Sequence, residues 1–265
     1  MRAIILAAGM GTRLGQYTKN LPKCMLSFAG KTLIERQIEV LRSSGVEDIV
    51  VVGGYRADAI APSNYTLYIN KMFGETNMVE SLFCAEREMT NDLLVCYGDI
   101  IYEKNVLDVV LNSSWDIGVT VDTDYWEYWS ARLDEPREDV ESLVVDGQGA
   151  IIELGDPRCS LERAEVRYVG LLKFSKKGLS ILKEQYHMHR ERSYELEKPW
   201  YRSKSFKKAY MTCMLQAIIE SGYTVMPIRI DRGWLEFDTA TDYERASAWH
   251  AEGSLGRFIH LAESP

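Results

Sequence analysis

Leu6-Ala7-Ala8-Gly9-Met10-Gly11-Thr12-Arg13-Leu14, followed by Leu21-Pro22-Lys23, sets a glycine turn, an arginine and a lysine directly behind the short apolar run from Ala3 to Leu6. That run has the length and composition of a buried strand. Glycines let backbone N–H groups come close to a phosphate, and Arg13 and Lys23 can neutralise a triphosphate. For G-x-G alone, a tight turn with two solvated cations is the plainer reading; strand, loop, arginine and Pro-Lys in series favour a phosphate site. A dinucleotide loop is disfavoured because Leu14 stands where its third glycine belongs, Gly15 comes one place late, and Gly53-Gly54-Tyr55 offers no acidic residue for a ribose. Gly30-Lys31-Thr32 is not a Walker loop either, since Met25 occupies the position of the required earlier glycine.

Outward from this loop the chain alternates strand and helix signals. Thr32-Leu33-Ile34-Glu35 is a capping-box pattern opening a helix whose Leu33, Ile34, Ile38 and Leu41 share a face, and Gly45 ends it. Ile49 to Val52 reads as a second parallel strand, Asn77 with Glu80 caps a helix through Leu82, Phe83 and Ala85, and Leu93 to Tyr97 is a third strand ending at Gly98-Asp99. The expected fold is α/β: a Rossmann-like open mixed, mainly parallel sheet flanked by helices, with its ligand at the carboxyl ends of the strands.

After Ile117 to Val121 the pattern changes. Asp122 to Glu141 is acidic and rich in Trp and Tyr, which suggests an inserted, acceptor-binding excursion from the sheet. Leu143 to Val145 and Ile151 to Leu154 read as a hairpin about Asp146-Gly147-Gln148-Gly149, and Tyr168 to Phe174 as another strand. His187 to Lys208 is charged and aromatic without a clean period and is expected to be a mobile lid. Tyr210 to Glu220 and Thr241 to Trp249 read as helices, and Val225 to Ile230 as a strand that Pro227 places at an edge. The expected organisation is one domain over 1–265, with 1–121 the nucleotide-binding half and 122–265 the acceptor-binding and sheet-completing half.

Composition narrows the function classes. At 265 residues, 46% hydrophobic and 26% charged, the chain is long enough to bury a large core. A net charge of −8 argues against a nucleic-acid binder held by a general basic surface. No stretch approaches the roughly 20 apolar residues of a membrane helix, and the apolar start runs into Gly11-Thr12-Arg13 without a cleavage pattern. Cys24, Cys84, Cys96, Cys159 and Cys213 are odd in number and never paired as C-x-x-C, which supports neither a disulfide framework nor a zinc site. The cytoplasm is the expected compartment, with no nucleic-acid or membrane partner and a homodimer left open.

The glycine loop with its arginine and Pro-Lys resembles the sugar-nucleotidyltransferase family, whose signature begins L-A-A-G-x-G-T-R-L and ends P-K; the resemblance covers nearly the whole chain. It departs where Gly15-Gln16 replaces the usual proline after Arg-Leu. The resemblance implies that the backbone from Leu6 through Ala7, Ala8, Gly9, Met10, Gly11 and Thr12, with Gly54, Asn77, Ser81, Tyr97 and Gly98, holds the nucleotide. It also implies that Arg13 and Lys23 contact phosphates and that Asp99 binds magnesium. Thr76-Asn77-Met78-Val79-Glu80-Ser81-Leu82 and Trp234-Leu235-Glu236-Phe237-Asp238 look like segments of bacterial phosphocholine cytidylyltransferases. Asp122, Trp126, Trp129, Arg132, Pro136, Asp139 to Glu141 and Tyr210-Met211-Thr212 resemble a subgroup that includes capsule phosphoglutamine cytidylyltransferases, and relatives in phosphonate biosynthesis also transfer CMP.

The implied reaction is attack by an acceptor phosphate or phosphonate oxygen on the α-phosphorus of CTP, with pyrophosphate leaving. The nucleophile is already ionised at neutral pH, so alignment and charge neutralisation suffice, and none of His187, His189, His250 and His260 is assigned to catalysis. Asp99 and Asp238 both follow strand-like runs and are candidates to converge on Mg²⁺, for which Mn²⁺ can substitute, with Glu236 a further candidate. Turn or N-cap roles are the alternative for both aspartates. Trp126, Tyr128 and Trp129 could cage a quaternary ammonium, or anchor an interface or a small core. Arg132, Arg167 and Lys173 favour a more anionic acceptor, and Tyr168 and Thr212 complete the expected acceptor site. A sugar-1-phosphate nucleotidyltransferase using another NTP and a silent nucleotide-binding regulatory subunit are the competing readings.

Overall fold

A computed structural model describes residues 1–60 and 64–261 of the chain. Seven strands form one sheet: β1 (Arg2–Ala7), β2 (Asp48–Gly53), β3 (Thr66–Ile69), β4 (Leu93–Tyr97), β5 (Ile117–Asp122), β6 (Arg167–Phe174) and β7 (Met226–Ile230), in the order β7-β5-β6-β4-β1-β2-β3. β6 runs antiparallel to both of its neighbours and every other pairing is parallel. The sheet is therefore mixed and mostly parallel. The order of strand addition reverses about β1, with β2 on one side and β4 on the other, so the carboxyl ends of β1 and β4 flank a topological switch point.

The sheet is covered on both faces because β1 is apolar at successive positions. Ala3, Ile5 and Ala7 point into one core while Ile4 and Leu6 point into the other, the period of two that a pleated strand imposes. Helices α1 (Leu33–Ser43), α3 (Lys104–Asn112), α4 (Tyr125–Arg132) and α7 (Ala240–Ala251) contribute to the first core. α2 (Met78–Phe83), α5 (Lys176–Ser193) and α6 (Met211–Glu220) contribute to the second. The capping box at Thr32 forms as read, with Glu35 returning to the Thr32 amide at 2.7 Å. Pro227 lies on β7, an edge strand paired only with β5.

One expectation is refined, one is corrected and one strand went unread. The 122–141 stretch carries α4, which buries Tyr125, Tyr128, Trp129 and Arg132. The 187–208 stretch is not a lid: its first part continues α5, and Trp200 and Phe206 are buried in the second core. β3 carries no strong sequence signal because only its middle residues are half-buried and its outer edge is unpaired. Strands from both halves of the chain share one sheet, and the expected second half extends past the last described residue.

Candidate active site

The loop after β1 turns on glycine. Gly11 takes a left-handed conformation at φ 62°, and a Cβ there would stand 3.1 Å from Lys23 Cβ, so the turn and the lysine pack directly. Thr18 Oγ donates to the Gly11 carbonyl at 2.7 Å and closes the loop. Gly15, in place of the family proline, is also left-handed at φ 55°. Gly98 answers a second demand: a Cβ there would lie 2.6 Å from the Leu6 carbonyl, so only glycine lets β1 and the end of β4 approach this closely.

Pro22 leads into a short 3₁₀ turn that aims Lys23 at the strand ends. Its ammonium, on a side chain 12% exposed, donates to Asp99 and to Asp238, each at 2.7 Å. Burial opposes the charge on Lys23, but Asp99 and Asp238 outweigh it and raise its pKa. For Asp99 burial prevails over the pull of Lys23, and its pKa rises above the usual aspartate range. Arg13 reaches Asp238 at 2.6 Å from an exposed position. The two aspartates that are 139 residues apart by number thus share one cation.

Asp238 is not a helix cap. The N-cap of α7 is Thr239, and Asp242 accepts from the amides of Asp238 and Thr239 at 2.9 and 2.7 Å. Asp242 also takes a bidentate pair from Arg132, both bonds 2.9 Å, and Arg132 reaches Glu236 at 2.6 Å. Arg132 therefore holds the segment that carries Asp238. Burial alone would raise the pKa of Glu236, but Arg132, then Arg167 and Lys23, hold it down at about 2.

Two cavities meet at Asp99 and Met78. A cleft of about 120 Å³ is lined by Leu6, Ala7, Ala8, Gly9, Asn77, Ser81 and Gly98, with Lys23 and Asp99 at its end. Asn77 caps α2 through the Met78 amide, and a buried amide, Asn70, donates to Thr76 and Ser81 Oγ at 2.9 Å, which fixes the wall. The second cavity, of about 410 Å³, is lined by Tyr97, Tyr168, Thr212, Arg13, Glu236 and Asp238, among others. Tyr168 and Tyr97 join hydroxyls at 2.9 Å between them. Met10 and Thr12 lie on the loop outside the cleft lining, and Gly54 packs on Ala8, whose carbonyl would be 2.8 Å from an added Cβ.

Four expected acceptor residues sit elsewhere, and one expected metal ligand lines the second cavity but is paired within the protein. Trp129 is 0% exposed, its indole donating to the Asp139 carbonyl at 2.8 Å, so it is core and cannot cage a ligand. Trp126 is exposed on α4 against Tyr125 and lines neither cavity. Arg132 is spent on carboxylates of the protein. Lys173 lies near the far end of antiparallel β6, beside Leu94, and donates to the Leu111 carbonyl at 2.8 Å. Glu236 is committed to Arg132. The spacing 125, 128, 129, 132 is a helical face, and it is the signal in the sequence that these side chains are buried. Tyr210, read only as part of Tyr210-Met211-Thr212, also lines the second cavity, with Arg202 and Gly155, which had no distinguishing pattern.

Among the described residues, no group of three or more His, Cys, Asp or Glu side chains is placed to hold a metal ion, and no helix is long and apolar enough to cross a membrane. The two carboxylates do suit a hard divalent cation that takes its remaining ligands from phosphate and water. Asp99 Oδ1 is buried without a hydrogen-bond partner, an acceptor still open at the junction of the cavities.

Comparison with known proteins agrees with this geometry. Residues 3–149 match the MobA-like NTP transferase domain. The CTP:phosphoglutamine cytidylyltransferase of Campylobacter jejuni is 37% identical over 258 residues, covering 92% of this chain and 98% of that protein. The choline-phosphate cytidylyltransferase of Streptococcus pneumoniae is 30% identical over 159 residues, 58% of this chain and 68% of that one. The solved structure of a CTP:phosphocholine cytidylyltransferase from Streptococcus pneumoniae superposes with a TM-score of 0.70 at 21% identity, covering 93% and 97% of the two chains, and shows the shared fold. With the glycine loop, the paired aspartates and these matches together, the chain belongs to the MobA-like NTP transferases and is a nucleotidyltransferase.

Proposed function

We propose that the protein transfers CMP from CTP to a small phosphorylated or phosphonate acceptor and releases pyrophosphate. The observation that carries this reading is the placement of Lys23 between Asp99 and Asp238, where a narrow cleft under the glycine loop meets a larger, charged cavity. The cleft takes the nucleotide: its backbone groups at Ala8 and Gly9 can read a pyrimidine edge. Arg13 and Lys23 then exchange aspartate for phosphate oxygens and neutralise the charge that collects on the leaving pyrophosphate. The acceptor enters from the second cavity and is aligned on the α-phosphorus. Its oxyanion is ionised before it binds, so no proton has to be removed by a histidine.

Mg²⁺ is the cation we assign to Asp99 and Asp238; when bound, it supplies Lewis-acid neutralisation of the triphosphate. Asp99 and Asp238 would hold the ion, and Lys23, between the same carboxylates, would pair with phosphate oxygens. Pyrophosphate release measured with CTP, UTP, ATP and GTP against phosphocholine, phosphoglutamine and simple phosphonates tests the reading. CTP is expected to be the preferred donor, because a site that pairs the cytosine amino group leaves a buried acceptor unmatched with UTP. A purine or UTP as the best donor overturns the CTP assignment, and no release with any pair overturns transfer itself.

A further inference from the structure

Once the ion pairs around the second cavity are matched, Arg167 is the cation left underused. Arg132 is spent on Asp242 and Glu236, and Arg13 and Lys23 on Asp238 and Asp99. Arg202 donates to the Leu154 carbonyl at 2.7 Å, with Glu153 and Asp156 at 3.7 and 3.9 Å. Arg167 has a side chain 14% exposed, an Nε that is buried without a partner, and one hydrogen bond, from Nη1 to the Asp139 carbonyl at 3.2 Å. The nearest carboxylate oxygen, on Asp139, is 4.0 Å away. Its guanidinium lies 3.9 Å from the centre of the Trp129 ring, and the buried tryptophan fixes its plane.

Negative charge is left over on the same wall. Glu141 and Asp139 line the cavity beside Arg167. Burial raises the pKa of Glu141, and what opposes it most is the charge of Arg167, at a distance and not through a hydrogen bond. Leaving a guanidinium N–H and a carboxylate this poorly matched inside a cavity costs free energy that a ligand of complementary charge recovers. The planar fork of arginine suits a carboxylate, and Glu141 with Asp139 suits an ammonium.

Resting on the transfer reading above, we propose that Arg167 receives a carboxylate of the acceptor while Glu141 and Asp139 receive its ammonium, so that the acceptor is a phosphorylated or phosphonate amino acid. The reacting phosphate then points to Asp99 and Asp238, on the wall where the two cavities join. Trp129, expected to touch the ligand, acts here as a positioning residue behind Arg167.

The test compares phosphoglutamine with its decarboxylated counterpart, which keeps the phosphate, chain length and ammonium, at fixed saturating CTP. Wild type is expected to prefer the carboxylate-bearing acceptor. Arg167→Gln should shrink that preference in kcat/KM by about 10–100-fold, the value of a charge-assisted hydrogen bond. Arg167→Lys should recover part of it, because the charge remains without the fork. Glu141→Gln should raise KM for both compounds. Thermal melts of each variant separate misfolding from loss of recognition, and Arg167→Lys carries the test if Arg167→Gln does not fold. A preference unchanged in both Arg167 variants overturns the proposal, as does an equal loss for both acceptors, which would put Arg167 on the reacting phosphate. CMP transfer to other phosphate compounds but to neither of these two overturns this proposal and leaves transfer standing; no pyrophosphate release with any acceptor overturns the transfer reading itself.

Discussion

The ammonium of Lys23 lies 2.7 Å from the carboxylate of Asp99, a contact that spans 76 residues of chain. It links the lysine of Pro22-Lys23 to the aspartate just beyond β4, across the point where Gly98 brings the two strand ends together. Lys23 holds only Oδ2 of Asp99; Oδ1 is buried without a hydrogen-bond partner, beside the cleft under the glycine loop.

Lys23→Ala and Arg13→Ala should depress turnover by about 2–4 kcal/mol of transition-state stabilisation, the scale of a lost electrostatic donor. The two should differ in stability. Arg13 is 69% exposed and its removal leaves the melting temperature nearly unchanged, whereas Lys23→Ala leaves two aspartates without their shared cation and lowers it. Steady-state kinetics at near-native rates in both variants would sink the phosphate-site assignment.

Turnover should require Mg²⁺ or Mn²⁺ and should collapse in Asp99→Asn and Asp238→Asn, because an amide is a poorer ligand for a hard dication. Calorimetric titration of Mn²⁺ in the presence of CTP should show weakened binding in both variants. Full activity in excess chelator refutes the metal role.

Arg132→Ala should destabilise the fold by about 3–5 kcal/mol, since Asp242, with its side chain 1% exposed, loses its buried partner. Denaturant unfolding measures this, and a loss below about 1 kcal/mol would mean the pair is screened. Acid should act on the same cluster. Glu236 has a folded pKa of about 2 against an ordinary 4.5, so its contribution is present above about 4.5 and is lost as pH falls through about 2. Glu236→Gln should flatten the decline in stability over that window.

Gly98→Ala should weaken both the fold and CTP binding, because the new methyl would meet the Leu6 carbonyl at 2.6 Å, a backbone atom that cannot swing aside. The expected cost is about 1–3 kcal/mol, typical of overpacking. An unaltered melting temperature together with an unaltered KM for CTP would show that β1 and β4 are free to part.

Read alone, the sequence carried most of the first half of the fold and the glycine loop, because these are local. Apolar runs of strand length, a capping box at Thr32 and a glycine loop ahead of Pro22-Lys23 each specify their structure within a few residues. The acceptor side was less legible. Trp126, Trp129, Arg132 and Lys173 are chemically suited to bind a ligand, yet three of them are held by the protein itself: Trp129 in the core, Arg132 on Asp242 and Glu236, Lys173 on a carbonyl at the opposite sheet edge. Whether a charged side chain is spent or available depends on partners far along the chain, 110 residues for Arg132 and Asp242 and 62 for Lys173 and Leu111. Composition and spacing do not encode that. Only the tertiary structure, by setting β6 antiparallel between β4 and β5 and folding α4 beneath α7, brought Arg167, Glu141, Asp99 and Asp238 to one cavity and left Arg167 short of a partner.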